Sequence, residues 1–135
     1  MLDIVVGDLR FKARLEEEIS PRSVAAVRKL LPLEAHLLQA RWSGQSAWVP
    51  LGELDAGVGP ESPTSYPGPG ELLLYPGGIS ETEILLAYGG VHFASKMGQL
   101  AGNHFLTITS GAEQLPELGR TVLWEGALDI VFDAA

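Results

Sequence analysis

Residues Pro67–Gly90 read PGPGELLLYPGGISETEILLAYGG, two apolar runs on either side of a Pro76-Gly77-Gly78 turn. Glu71–Tyr75 and Thr82–Tyr88 are each the length of a strand rather than a helix, and Gly or Pro brackets both. The pattern predicts a β-hairpin at the centre of a packed sheet. On this reading the 135 residues make one mainly β domain, residues 1–135, long enough to bury a core without covalent staples.

Composition narrows the function classes. Cysteine is absent, which removes disulfides and thiolate metal sites. The start MLDIVVGDLRF lacks the basic leader and apolar stretch of a signal peptide, and no run nears the ~18 apolar residues that span a bilayer. A cytoplasmic protein with no membrane partner is the expectation. Net charge is −8, and after Arg41 only Lys96 and Arg120 stand against eleven acids. Such a surface repels phosphate backbones, so no nucleic-acid partner is expected. Acidic charge serves solubility in the plain reading, and an amine-bearing ligand in the sharper one.

Either side of the hairpin the chain is punctuated in short elements. Leu2–Val6 and the alternating LRFKARL predict two strands joined at Gly7-Asp8, with Leu9, Phe11, Ala13 and Leu15 inside and Arg10, Lys12 and Arg14 in solvent. Ser20 as cap and Pro21 in the first turn predict a helix stopped by Pro32, with Val24, Val27 and Leu31 on its apolar stripe. Leu33–Trp42 and Ser46–Leu51 read as strands, with Trp48 near Trp42. Gly52–Gly70 reads as a long loop of functional length. His104–Thr109 alternates as a strand, Ser110–Leu118 reads as a short helix capped by Ser110 and Glu113 and ended by Gly119, and Thr121–Phe132 reads as a last strand or strand pair. About eight strands and one or two helices can close into an antiparallel barrel, which removes exposed sheet edges.

Candidate site residues follow from chemistry and from spacing. Arg41 shares a face with Leu33, Ala35 and Leu37; it is either an interior guanidinium in need of a partner or a surface arginine at a strand end. Glu81 and Glu83, two apart on a strand, can face one side and hold a cation or amine, or form a solvated edge. His36, His92 and His104 are too scattered for a metal motif, so no metal and no cofactor is expected. The glycines of PGPG and YPGG precede no helix and are turn formers rather than a phosphate cradle. Lys96 reads as a loop lysine, solvated or functional.

The segment DLRFKARLEEEISPRSVAAVRKLL resembles the opening of cyclophilins, and GNHFLTIT, Gly102–Thr109, resembles one of their strands. ARWSG, PGELLLYPGGISETEILLAYG and HFLTI are closer still to a family of small bacterial cyclophilin-like proteins of unknown function, over almost the whole chain. The resemblance implies a closed cyclophilin-like antiparallel β-barrel with one or two capping helices. It puts Arg41 where cyclophilins contact the substrate prolyl amide, and it sets His104, Phe105 and Leu106 along the proline pocket, with Leu106 in place of a Phe. The reading that follows is a barrel that binds a small molecule or short peptide at its mouth without strong catalysis, through Arg41, Tyr75, Glu81, Glu83, His92, His104 and Leu106. Its rim is the 52–70 loop, the Pro76–Glu83 turn and the 91–103 loop. The alternatives are a peptidyl-prolyl isomerase using Arg41 and an interaction subunit of a metabolic enzyme assembly, with a homo-oligomer also open.

Overall fold

In a computed structural model describing residues 1–135, the alternating segments form strands as their periodicity dictates. β1 (Leu2–Val6) and β2 (Leu9–Leu15) pair antiparallel through a turn at Gly7, whose φ of 55° suits glycine. Phe11 and Ala13 of β2 are buried, while Lys12 pairs with Asp3 at 2.8 Å and Arg14 with Glu16 at 2.9 Å in solvent.

The helix α1 (Pro21–Arg28) buries Val24 and Val27. It ends at Arg28, before the Leu31–Pro32 stop that the sequence suggests, and Leu31 packs against the core from the connection that follows. Ser20 does not cap it through its side chain; its hydroxyl meets that of Ser62 instead. β3 (Leu33–Gln39) and β4 (Gly44–Gly52) follow, then β5 (Pro63–Thr64) within the long loop. The hairpin at the centre of the sequence is β6 (Glu71–Tyr75) and β7 (Thr82–Val91), with Leu74 opposite Ile84 and Tyr75 opposite Glu83. Its connection runs from Pro76 to Glu81, and the Tyr75 hydroxyl accepts hydrogen bonds from the amides of Ile79 at 3.0 Å and Ser80 at 3.3 Å. A small hairpin, β8 (Ala94–Ser95) and β9 (Gly98–Gln99), leads into β10 (Gly102–Ser110).

The C-terminal third departs from the strand reading. A 3₁₀ turn at Ala112–Gln114 runs into the helix α2 (Leu115–Glu125), so Thr121–Glu125 is helical and only β11 (Leu128–Ala134) is strand. No Ser110–Glu113 capping box forms: Ser110 belongs to β10 and Gly111, at φ 93°, makes the turn. Gly119 sits inside α2 rather than ending it.

The strands run in the order β2-β1-β11-β3-β4-β7-β6-β10, and β10 pairs back onto β2 to close an eight-stranded antiparallel barrel, with β5 added beside β10. Side chains from every stave fill the interior, among them Ile4, Phe11, Leu37, Val49, Leu72, Ile84, Phe105 and Phe132. A bulge between His104 and Leu106 turns both Phe105 and Leu106 into this core, where strict alternation would separate them. Helix α2 adds Leu115, Leu118 and Val122.

Candidate functional site

Because the interior is filled, room for a ligand lies outside the staves. Residues of the opposite parity on β6 and β7, Leu73, Tyr75 and Leu85, form a second apolar cluster with Phe93 and Leu100 on the outer face of the sheet. Tyr75 meets Phe93 edge-on, ring centres 5.8 Å apart. Beside this cluster runs a groove of about 550 Å³ lined by Leu38, Trp48, Arg41, Trp42, Glu83 and Lys96, among others. The Ser80 end of the hairpin connection and residues 94–96 flank it. The 52–70 loop does not; it lines a different cleft of about 370 Å³ against α1, where Arg22 donates to the Gly57 carbonyl at 3.1 Å and Asp55 accepts the Gly57 amide at 2.9 Å.

Glu83 is the unusual member of the groove. It stands between Pro50 and Tyr75 on the neighbouring strands, and only 6% of it is exposed. Burial, and then the charge of Glu81, push its carboxyl up to about 7, and no hydrogen bond or cation of the chain offsets them. A buried acid in a cleft with no partner of its own is the arrangement that binding and catalytic sites use.

Arg41 lies just past the end of β3 and is exposed, its guanidinium 5.7 Å from the centre of the Trp42 ring. The interior alternative for Arg41 therefore gives way to the surface one, because β3 ends at Gln39, whose side-chain oxygen accepts the Tyr88 hydroxyl at 2.6 Å. Trp42 and Trp48 line the same groove, Trp42 54% exposed and Trp48 half-buried.

The other residues singled out in the sequence are spread over the molecule. Glu81 is exposed on the hairpin connection beside Glu83. Tyr75 forms part of the cluster beneath the site. His92 is stacked on Tyr66, ring centres 4.9 Å apart, and bonded to Gln99 at 3.0 Å. His104 reaches Thr107 at 2.8 Å, and the Thr107 hydroxyl donates to Glu16 at 2.6 Å, so the His104 ring Nε2–H is the donor of that pair. Burial alone would raise the Glu16 carboxyl, but the bonds from Thr107 and Arg14 and the charges of Arg14 and His104 outweigh it and hold it low. Leu106 is wholly inside the barrel. Arg41, His104 and Leu106, which the cyclophilin resemblance sets around one proline pocket, do not converge.

Two contributors to the groove had no signal in the sequence. Ser43 is buried; its hydroxyl donates to the Ala94 carbonyl at 3.0 Å and accepts the Ala94 amide at 3.0 Å, tying the Arg41-Trp42 segment to the β8–β9 hairpin. Leu123, near the end of α2, closes one side, a role hidden by reading Thr121–Phe132 as strand. No group of three or more His, Asp or Glu side chains converges in a way that could hold a metal ion, and no helix is long and apolar enough to cross a membrane.

Residues 2–133 match the family described as "Protein of unknown function (DUF3830)", and the chain belongs to that family. No curated protein matches it. Among solved structures the fold is similar to one titled "Structure of McbB in complex with tryptophan", with a TM-score of 0.80 and 16% sequence identity over 99% of this chain and 44% of that one. The chain thus spans less than half of that protein's length, and the likeness shows the fold, a cyclophilin-like barrel.

Proposed function

We propose that the outer-face groove binds a small organic molecule carrying a basic nitrogen, which Glu83 receives. The observation that carries this reading is Glu83, only 6% exposed and opening on the groove, whose carboxyl takes no hydrogen bond or ion pair from the chain. A protonated amine seated there supplies the missing hydrogen-bond donors and the countercharge in one step, and it draws the carboxyl into its ionised form. The apolar walls suit the rest of such a molecule: Trp48 offers a flat face and Leu38 an aliphatic one, and the volume lies in the range of small-ligand sites. The protein of similar fold is described in complex with tryptophan, itself an amine-bearing aromatic molecule.

Isothermal titration with benzylamine at pH 8 tests the proposal. Wild-type protein is expected to bind it, and Glu83→Gln, which keeps the shape and removes the charge, is expected to lose at least ~tenfold in affinity. Equal affinity in the two proteins rejects Glu83 as the amine's partner.

A further inference from the structure

The groove is charged differently at its two ends, and the strand register says how far apart those ends are. Pro50 of β4 pairs with Glu83. Two residues back along β4, Trp48 faces Leu38 and Leu85 on its neighbours. Two further back, the Ser46 carbonyl accepts the Ala40 amide at 3.0 Å, next to Arg41. Ser46 and Pro50 are therefore about 13 Å apart along the strand. Glu83 holds one end, Trp48 the middle and Arg41 the other end.

Lys96 belongs to the Arg41 end. The paired hydrogen bonds between Ser43 and Ala94, and a third from the His92 amide to the Ser43 carbonyl at 3.2 Å, fasten the hairpin that carries Lys96 to the segment two residues after Arg41. Neither cation is ion-paired within the chain, whose ion pairs are Lys12–Asp3, Arg14–Glu16, Arg28–Glu17 and His36–Asp129; Arg41 only lies over the Trp42 ring. Arg41 and Lys96 are the two cations lining the groove, and Glu83, at its other end, is its one acid.

We propose that Arg41 and Lys96 form a carboxylate subsite, so that the ligand is an amino acid whose basic nitrogen and carboxylate lie at opposite ends of a flat apolar body. This rests on the reading of Glu83 as the amine's partner. The guanidinium, steadied over Trp42, offers a planar fork that matches a carboxylate, and the ammonium adds a second donor. Side chains from both ends take up part of the ~13 Å between the backbone rungs, which leaves room for charges separated by an aromatic ring or a dipeptide backbone and not for the adjacent charges of an α-amino acid. The net charge of −8 favours a singly charged carboxylate over a phosphate.

The experiment is calorimetric titration at pH 8 of 4-(aminomethyl)benzoate, its methyl ester and benzylamine into wild type, Arg41→Met, Lys96→Met and the double variant. Both positions are exposed, so the variants keep the fold, which circular dichroism checks. The acid is expected to bind wild type at least ~tenfold tighter than the ester, with the advantage reduced in each single variant and erased in the double, while benzylamine affinity does not fall. If ester and acid bind alike, the carboxylate subsite is overturned and the amine reading stands. A preference for the acid that survives in the double variant overturns its assignment to Arg41 and Lys96. Failure of all three probes to bind wild type rejects both readings together.

Discussion

Glu61, in the middle of the long loop, caps the first turn of α1 at Ser23: its carboxylate accepts the Ser23 amide at 2.7 Å, the Ser23 hydroxyl at 2.8 Å and the Arg22 amide at 2.9 Å. The first-turn amides of a helix have no partner inside it, so a carboxylate from another segment serves both the loop and the helix. Asn103 of β10 locks the arrangement, accepting from the Glu61 amide at 2.8 Å and donating to the Ser23 hydroxyl at 3.0 Å and the Gly59 carbonyl at 2.9 Å. This is why a stretch rich in Gly and Pro keeps one path across the barrel wall.

Glu61→Ala is therefore expected to destabilise the protein by about 1–2 kcal/mol, in the range of a lost N-terminal cap. Burial alone would raise the Glu61 carboxyl, but its bonds to Arg22 and Ser23 and the Arg22 charge outweigh that and hold it below its ordinary 4.5. Below that value the unfolded chain binds the proton first, so the stability Glu61 contributes is full above the ordinary range and is lost as pH falls through the depressed native value. Urea unfolding at pH 7 and pH 3 checks this: the gap between wild type and variant should shrink at the lower pH, and a gap independent of pH contradicts the capping role.

Gly119→Ala is expected to lower stability by about 1–3 kcal/mol even though alanine is the better helix former by about 1 kcal/mol. A Cβ at Gly119 would stand 2.3 Å from the Tyr88 ring, and that ring is held by its hydroxyl on Gln39 at 2.6 Å. Gly119 thus lets α2 lie close against β7. Thermal melts of the variant decide the matter, since a raised Tm would mean that the ring simply steps aside.

That glycine also marks where the sequence was legible and where it was not. The staves were readable because alternation such as Leu9, Phe11, Ala13 against Arg10, Lys12, Arg14 maps directly onto the two faces of a strand. In α2 the helical spacing Leu115, Leu118, Val122 was present, but Gly119 and the β-branched Thr121-Val122 pair pointed the other way, and packing against Tyr88 overrode them. At the candidate site, Arg41 and Glu83 could be picked out as residue types. Their shared groove could not, because it depends on the Pro50–Glu83 register and on the Ser43–Ala94 bonds between residues 51 apart in the chain. The inward turn of Leu106 was equally hidden, since it follows from a bulge that no residue of HFLTI announces.

Ser43→Ala tests that long-range fastening. It removes a buried hydroxyl that both donates to and accepts from Ala94, which is expected to cost about 1–3 kcal/mol and to loosen the β8–β9 hairpin ahead of the barrel. Hydrogen exchange should show faster exchange at the Ala94 amide while β6 and β7 amides stay protected. Unchanged exchange at Ala94 would show that the hairpin is held by other contacts, such as the Leu100 amide on the Phe93 carbonyl at 2.9 Å.

The sharpest prediction concerns Glu83 and pH. Its carboxyl is pushed by burial, and secondarily by Glu81, from its ordinary 4.5 up to about 7. Between those two values the native protein keeps a proton that the unfolded chain has released, so the stability tied to Glu83 is full below the ordinary value, declines as pH rises, and levels off once pH passes the native value. A shift of this size corresponds to on the order of 3 kcal/mol. Glu83→Gln has no such titration, so the variant should gain on wild type as pH rises from 4.5 to 7.5, which denaturant unfolding at several pH values measures. Carboxylates that do not interact with Glu83 titrate alike in both proteins and cancel in the difference. A difference that does not change with pH would mean that Glu83 is solvated, and the amine-binding proposal would lose its foundation. If the difference does change, benzylamine at pH 8 should stabilise wild type more than Glu83→Gln at every concentration, because only the ionised carboxyl gains from the ammonium.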